Sequence, residues 1–203
     1  IFRSNLSPKI DQCCGGVVEC EISILDEKKI NYVEKKIKTE ISNYKNLFLF
    51  GAGHVGKAIL KFGVNLPLKI TVTDYRIDLV KDLQEQFKNY LDTVKFNVDA
   101  FPERVISSSP NNSAYLVMTH SHATDFTLIE EILQKKDTGY IGMIGSKAKK
   151  AALTKYLKNK KISQSMIDLV NCPIGQRIEV LGRKSPEVIA ALTVSDILGS
   201  FGK

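Results

Sequence analysis

Cysteine is scarce in this 203-residue chain, which has only Cys13, Cys14, Cys20 and Cys172. Four thiols, two of them adjacent, do not form a disulfide framework, and neighbouring cysteines cannot bridge without backbone strain. They read as reduced thiols. No C-x-x-C pair occurs, which removes the usual start of a structural zinc site. Tryptophan is absent, and histidine is limited to His54, His120 and His122. No apolar run approaches the ~18 residues of a membrane span, and "IFRSNLSPKI" lacks the long apolar core of a secretory signal. The expectation is a cytoplasmic protein with no membrane partner. The first residue is Ile1 and not Met, so a processed or partial chain is expected.

What is present is ordinary globular composition. With 43% hydrophobic residues, the chain can bury the core of one main domain with a smaller appendage. The net charge of +7 comes from lysines that concentrate in "SKAKKAALTKYLKNKK", residues 146–161. Such runs are mostly solvated helix faces, and the alternative is attraction to an anionic ligand or an acidic partner protein. No nucleic-acid partner is expected, because the run lacks interleaved aromatics and any helix-turn-helix or zinc-finger spacing.

The N-terminal segment, residues 1–45, carries three of the cysteines and one alternating stretch, "VVECEISI" (17–24), which reads as a half-buried strand with Cys20 on its apolar face. Residues 26–45 read as a turn and connecting segment. From Asn46 to the C-terminus the pattern changes to strand and helix in alternation. "NLFLF", "LKITVTD", "TVKFNV", "AYLVMTH" and "GYIGMIG" read as strands, with helical repeats between them. Ser185 and Pro186 mark the start of a last helix. This order predicts an α/β fold: a Rossmann-like, doubly wound parallel sheet over 46–203, with a small β-containing N-terminal segment over 1–45.

The first strand runs into "GAGHVG", a G-x-G-x-x-G loop. Gly51 suits the tight turn, Gly53 the close approach of backbone to an anion, and Gly56 the packing of helix on strand. The following helix directs its free N–H groups at that anion. Asp74, at the end of the second strand, stands where a ribose-binding acid would sit. All three histidines follow predicted strand ends, where open α/β sheets bind ligands. His54 lies in the glycine loop, and His120 and His122 flank Ser121. H-x-H supplies two metal ligands at most, and no third is indicated by spacing, so no metal is assigned. "GMIGSKAKK" offers a second candidate anion cradle, with Gly142 and Gly145 for close approach, Ser146 as a cap and Lys147 for charge.

"QCCGG", "GAGHVGKAI", "VMTHSHATD", "YIGMIGSKAKK", "NCPIG" and "KSPEVIAA" occur in this order and together resemble the xanthine dehydrogenase accessory protein family, XdhC, related to the CoxI accessory proteins. The resemblance implies a chaperone without turnover of its own. Such a protein binds the molybdenum cofactor (molybdopterin), protects it while a cysteine desulfurase supplies a terminal sulfido ligand, and assists its insertion into xanthine dehydrogenase. It implies no catalytic residue in this chain. It assigns cofactor contact to Cys13 or Cys14 in the glycine-flanked motif, to Gly51, Gly53, His54 and Gly56 in the first loop, to His120, Ser121 and His122 in the second, and to Gly145, Ser146 and Lys147 in the third. Asp74 joins this set from the fingerprint, and Cys172 in "NCPIG" is a weaker candidate.

Two other classes stay open on the residues alone. One is an NAD(P)-dependent oxidoreductase with Asp74 on the ribose and His120 or His122 moving the proton. Little chain remains for a substrate domain, although a homodimer could complete a site. The other is a nucleotide-sensing module that regulates a partner without chemistry.

Overall fold

The computed structural model describes residues 1–6, 16–135, 137–176 and 185–202. Cys13 and Cys14 lie outside the described residues, and so does most of the charged stretch before "KSPEVIAA". The chain divides into two compact units, Ile1–Ser42 and Asn43–Lys203.

The first unit holds a two-stranded antiparallel sheet of β1 (Phe2–Leu6) and β2 (Gly16–Cys20), followed by helix α1 (Glu27–Ser42). Two sequence expectations need correction here. The strand ends at Cys20, and every residue of β2 is exposed, Cys20 included. A two-stranded ribbon has too little apolar area to bury a face of its own. The supposed connecting segment is a helix. Its Ile30, Val33, Ile37 and Ile41 recur at helical spacing, its Lys and Glu are good helix formers, and Asp26 Oδ1 accepts from the Lys29 N–H at 2.8 Å as the N-cap.

The second unit is the doubly wound domain. Its strands are β3 (Lys45–Phe50), β4 (Leu68–Asp74), β5 (Val94–Val98), β6 (Ser113–Val117), β7 (Thr138–Met143) and β8 (Val170–Asn171). They form one sheet in the order β5-β4-β3-β6-β7-β8, parallel at every pairing. The helices are α2 (His54–Gly63), α3 (Ile77–Gln86), α4 (Glu103–Ser108), α5 (His122–Gln134), α6 (Lys147–Asn159), α7 (Gln164–Ile167) and α8 (Pro186–Phe201).

Alternation along β3 explains the two layers. Leu47 and Leu49 enter one core with Ile59, Leu60 and Ile197, while Phe48 and Phe50 enter the other with Tyr115, Ile129 and Leu157. A strand buried on both faces reads as a continuous apolar run, as "LFLF" does. Each of these side chains contributes about 1.5–3 kcal/mol by leaving water. Ser185 caps α8 by accepting from the Val188 N–H at 3.2 Å, with Pro186 in the first turn, as the sequence predicts. No helix among the described residues is long and apolar enough to cross a membrane.

The chain enters the sheet at β3, winds outward through β4 and β5, and then returns to place β6 on the other side of β3. The winding direction reverses between β3 and β6. In open parallel sheets a crevice forms at the carboxyl ends of the strands flanking such a reversal.

Candidate functional site: a crevice at the strand ends

Backbone continuity builds the floor of that crevice. The Gly51 N–H donates to Thr73 O at 2.9 Å, and the Met118 N–H donates to Phe50 O at 2.7 Å, so the ends of β3, β4 and β6 are tied together. Gly51 has φ +111°, and a Cβ there would collide with the Met118 carbonyl. Only glycine fits both demands. Gly56 meets a second steric demand, since its Cβ would strike the Gly51 carbonyl where α2 packs onto the strand. Gly53 is different. Its backbone is extended, and a Cβ built on it would meet nothing within 4 Å. It caps α2 with no side-chain hydrogen bond, and no acidic residue occupies the first turn of that helix. The first N–H groups of α2 therefore keep their capacity for an anion.

Asp74 closes the loop from the side. Its Oδ2 accepts from the Ala52 N–H at 2.8 Å and from Arg76 Nη2 at 2.6 Å. Its Oδ1 accepts from the Arg76 N–H at 3.0 Å and from Arg76 Nε at 2.9 Å. A carboxylate has about four lone-pair sites, and all four are engaged. Burial pushes the Asp74 carboxyl up, but the Arg76 guanidinium, the Ala52 and Arg76 N–H groups and the positive charge beside it together outweigh burial and hold it below its ordinary value of 3.8. Arg76 is correspondingly held above its usual value, chiefly by its hydrogen bond to Asp74.

The crevice has a volume of about 280 Å³, and Gly51, Thr73, Asp74, Tyr75, Asp99 and His120 are among its lining residues. The Tyr75 and His120 rings lie 4.9 Å apart, tilted by 42°. Of the three histidines only His120 lines it. His54 and His122 are exposed at the first positions of α2 and α5, and His122 stacks on Phe126 at 6.4 Å.

A model of the XdhC Rossmann domain matches residues 47–197. The chain belongs to that family. It is 25% identical over 153 residues to the uncharacterized protein YqeB of Escherichia coli (strain K12), an alignment covering 75% of this chain and 26% of YqeB. A crystal structure described as a xanthine dehydrogenase from Bacillus halodurans superposes with a TM-score of 0.61 at 25% identity. That match covers 78% of this chain and 43% of the other. This XdhC chain thus spans less than half the length of either relative.

The motifs after β6 and β7 hold the XdhC domain's second loop in place. Ser121 caps α5 by accepting from the Thr124 N–H at 3.3 Å. Asp125, fully buried, accepts from the Thr119 N–H at 3.0 Å, from Thr119 Oγ1 at 2.6 Å and from Lys149 Nζ at 2.5 Å. Gly145 leaves room for Lys149, because a Cβ there would lie 2.8 Å from that lysine's side chain. Gly142 is likewise filled, by Leu116, Ile174 and Tyr140. Ser146 caps α6 through the Lys149 N–H at 3.2 Å, while Lys147 is exposed. Gly142 and Gly145 thus face packed side chains, in contrast to the open space at Gly53.

Cys172 is buried in the core beneath α6, and burial pushes its thiol up to about 11. Among the described residues no group of three or more His, Cys, Asp or Glu could hold a metal ion. Sequence reasoning missed Tyr75, Arg76, Asp99, Asp125 and Lys149. Tyr75 and Arg76 directly follow the fingerprint acid, and Asp125 and Lys149 stand inside the quoted motifs, so each was within reach of the reading.

Proposed function

We propose that this XdhC domain is the cofactor-holding part of an accessory protein for a molybdenum-dependent xanthine dehydrogenase. Its cargo is the molybdenum cofactor, a pterin that bears a phosphate and holds molybdenum through a dithiolene. The domain receives that cargo, shields it while a cysteine desulfurase exchanges an oxo ligand for sulfido, and passes it to the apoenzyme. The sulfur chemistry belongs to the partner.

The observation that carries this reading is the uncapped N-terminus of α2 behind Gly53, with open space where a Cβ would stand and no acid in the first turn. Such a terminus suits a phosphate. Family membership and the likeness to a protein described as a xanthine dehydrogenase support the choice of partner. Cys13 or Cys14 would contact the cofactor or its sulfur.

The NAD(P)-dependent alternative is weakened at one point. A ribose hydroxyl needs a free acceptor on the fingerprint acid, and Asp74 has none while Arg76 holds it. The deciding experiment is gel filtration of the chain with molybdenum cofactor released from a mature molybdoenzyme, with NAD(P)H run in parallel. Co-elution of a species with oxidised-pterin fluorescence is expected. Tight NAD(P)H binding without pterin would overturn the carrier reading.

A further inference from the structure

Two carboxylates, Asp74 and Asp99, line the crevice from neighbouring strand ends, joined by the Asp99 N–H donating to Asp74 O at 3.3 Å. Their hydrogen bonding is opposite in kind. Asp74 has four protein donors on its two oxygens. Asp99 has one among the described residues, the Phe101 N–H on Oδ1 at 2.8 Å. With about four lone-pair sites per carboxylate, Asp99 keeps most of its acceptor capacity, and among the described residues Oδ2 takes no hydrogen bond. The Phe101 contact fixes the carboxylate without consuming it.

One further feature describes the ligand. Tyr75 is half exposed at the crevice, with its ring against that of His120, and paired aromatic rings offer a face on which a flat heterocycle stacks.

We infer that the crevice takes the ring of a 2-amino-4-oxo-pyrimidine-fused heterocycle, the chemistry shared by pterin and guanine, with Asp99 accepting from its ring N–H and exocyclic amino group. Those two donors are adjacent on one edge and match the two oxygens of a carboxylate. Adenine presents a donor beside a bare ring nitrogen on the corresponding edge, and that nitrogen repels the second oxygen. A site built to accept two hydrogen bonds rejects a ligand that offers one. This inference rests on the carrier reading and deepens it: α2 takes the phosphate, and Asp99 reads the pterin.

The test uses ring ligands that carry no phosphate, so that it is independent of the glycine loop. Binding of 6-hydroxymethylpterin, guanosine and adenosine to the chain is measured by fluorescence and by competition. The expected order places adenosine at least about tenfold weaker than the other two, with the hydroxymethylpterin and guanosine arms ranking the two sources. Asp99→Asn keeps an acceptor for Phe101 and puts an amide N–H₂ against the ligand's donors. It should abolish the preference for hydroxymethylpterin over adenosine while leaving the thermal midpoint unchanged. Adenosine binding equal to or tighter than hydroxymethylpterin in the parent chain would overturn the inference. So would an undiminished preference in Asp99→Asn, or no binding of any of the three rings. If the intact cofactor co-elutes yet the free rings show no dependence on Asp99, the inference falls and the carrier stands. If the rings bind as expected and the intact cofactor does not, the carrier falls and the crevice keeps its ligand class.

Discussion

Lys149 and Asp125 form an ion pair at 2.5 Å with side chains only 8% and 0% exposed, tying α6 to α5 directly beneath the loop that carries His120. Removing one member of such a pair leaves the other charge buried and alone, which costs about 3–5 kcal/mol. Lys149→Met should lower unfolding stability by that amount in urea. Asp125→Asn combined with Lys149→Met should cost less than Lys149→Met alone, because the amide oxygen still accepts from Thr119. A double variant at least as unstable as the single would show that the charge pairing is not what stabilises this contact.

Asp74 makes an acid limb in the stability profile. Its folded-state pKa lies below the ordinary 3.8, so the stability it contributes is fully present above that value and is lost as pH falls through the folded pKa. Asp74→Asn should flatten the pH dependence of the unfolding midpoint below about pH 4. An unchanged acid limb in the variant would place the titrating group elsewhere.

The glycines of the first loop should separate stability from binding. Gly51→Ala and Gly56→Ala each drive a Cβ into backbone carbonyl oxygen and should lower the melting temperature by several degrees or prevent folding. Gly53→Val should still fold, at a cost of about 1 kcal/mol for a valine at the N-cap, since its Cβ meets open space, and should lose the phosphate-bearing cofactor in the co-elution experiment. A Gly53→Val variant that retains the cofactor would refute the phosphate assignment.

Cys172 should be inert in the folded protein. With its thiol raised to about 11, roughly one molecule in a thousand carries the thiolate at pH 8. Alkylation by iodoacetamide followed by peptide mapping should mark exposed Cys20 under native conditions and Cys172 only in denaturant. Native labelling of Cys172 would mean that the core under α6 opens readily.

The doubly wound domain was legible because its signals are local and strong. Apolar runs such as "LFLF" fix buried strands, the G-x-G-x-x-G spacing fixes the first turn, and Ser185 with Pro186 fixes the start of α8. What the sequence concealed depends on contacts far apart in the chain. Gly145 looks like a ligand cradle until Lys149 is seen folded across it, and Asp74 looks like a free acid until Arg76 is seen filling it. Helix α1 was missed for a different reason. Its Ile30, Val33, Ile37 and Ile41 repeat is diluted by lysines and glutamates, which favour helix but read as loop when polarity alone is weighed.

The crevice is assembled from two stretches of chain that meet only in the sheet: Gly51 to Pro102 on one side and Thr119 to Thr124 on the other. Between them runs the exposed turn Pro110–Asn111–Asn112, and exposed turns are where proteolytic nicks concentrate. A nick there would yield two polypeptides, each with part of the binding surface and neither with all of it. Ligand occupancy would then report whether the halves had reassembled, which makes the domain a natural template for a split sensor.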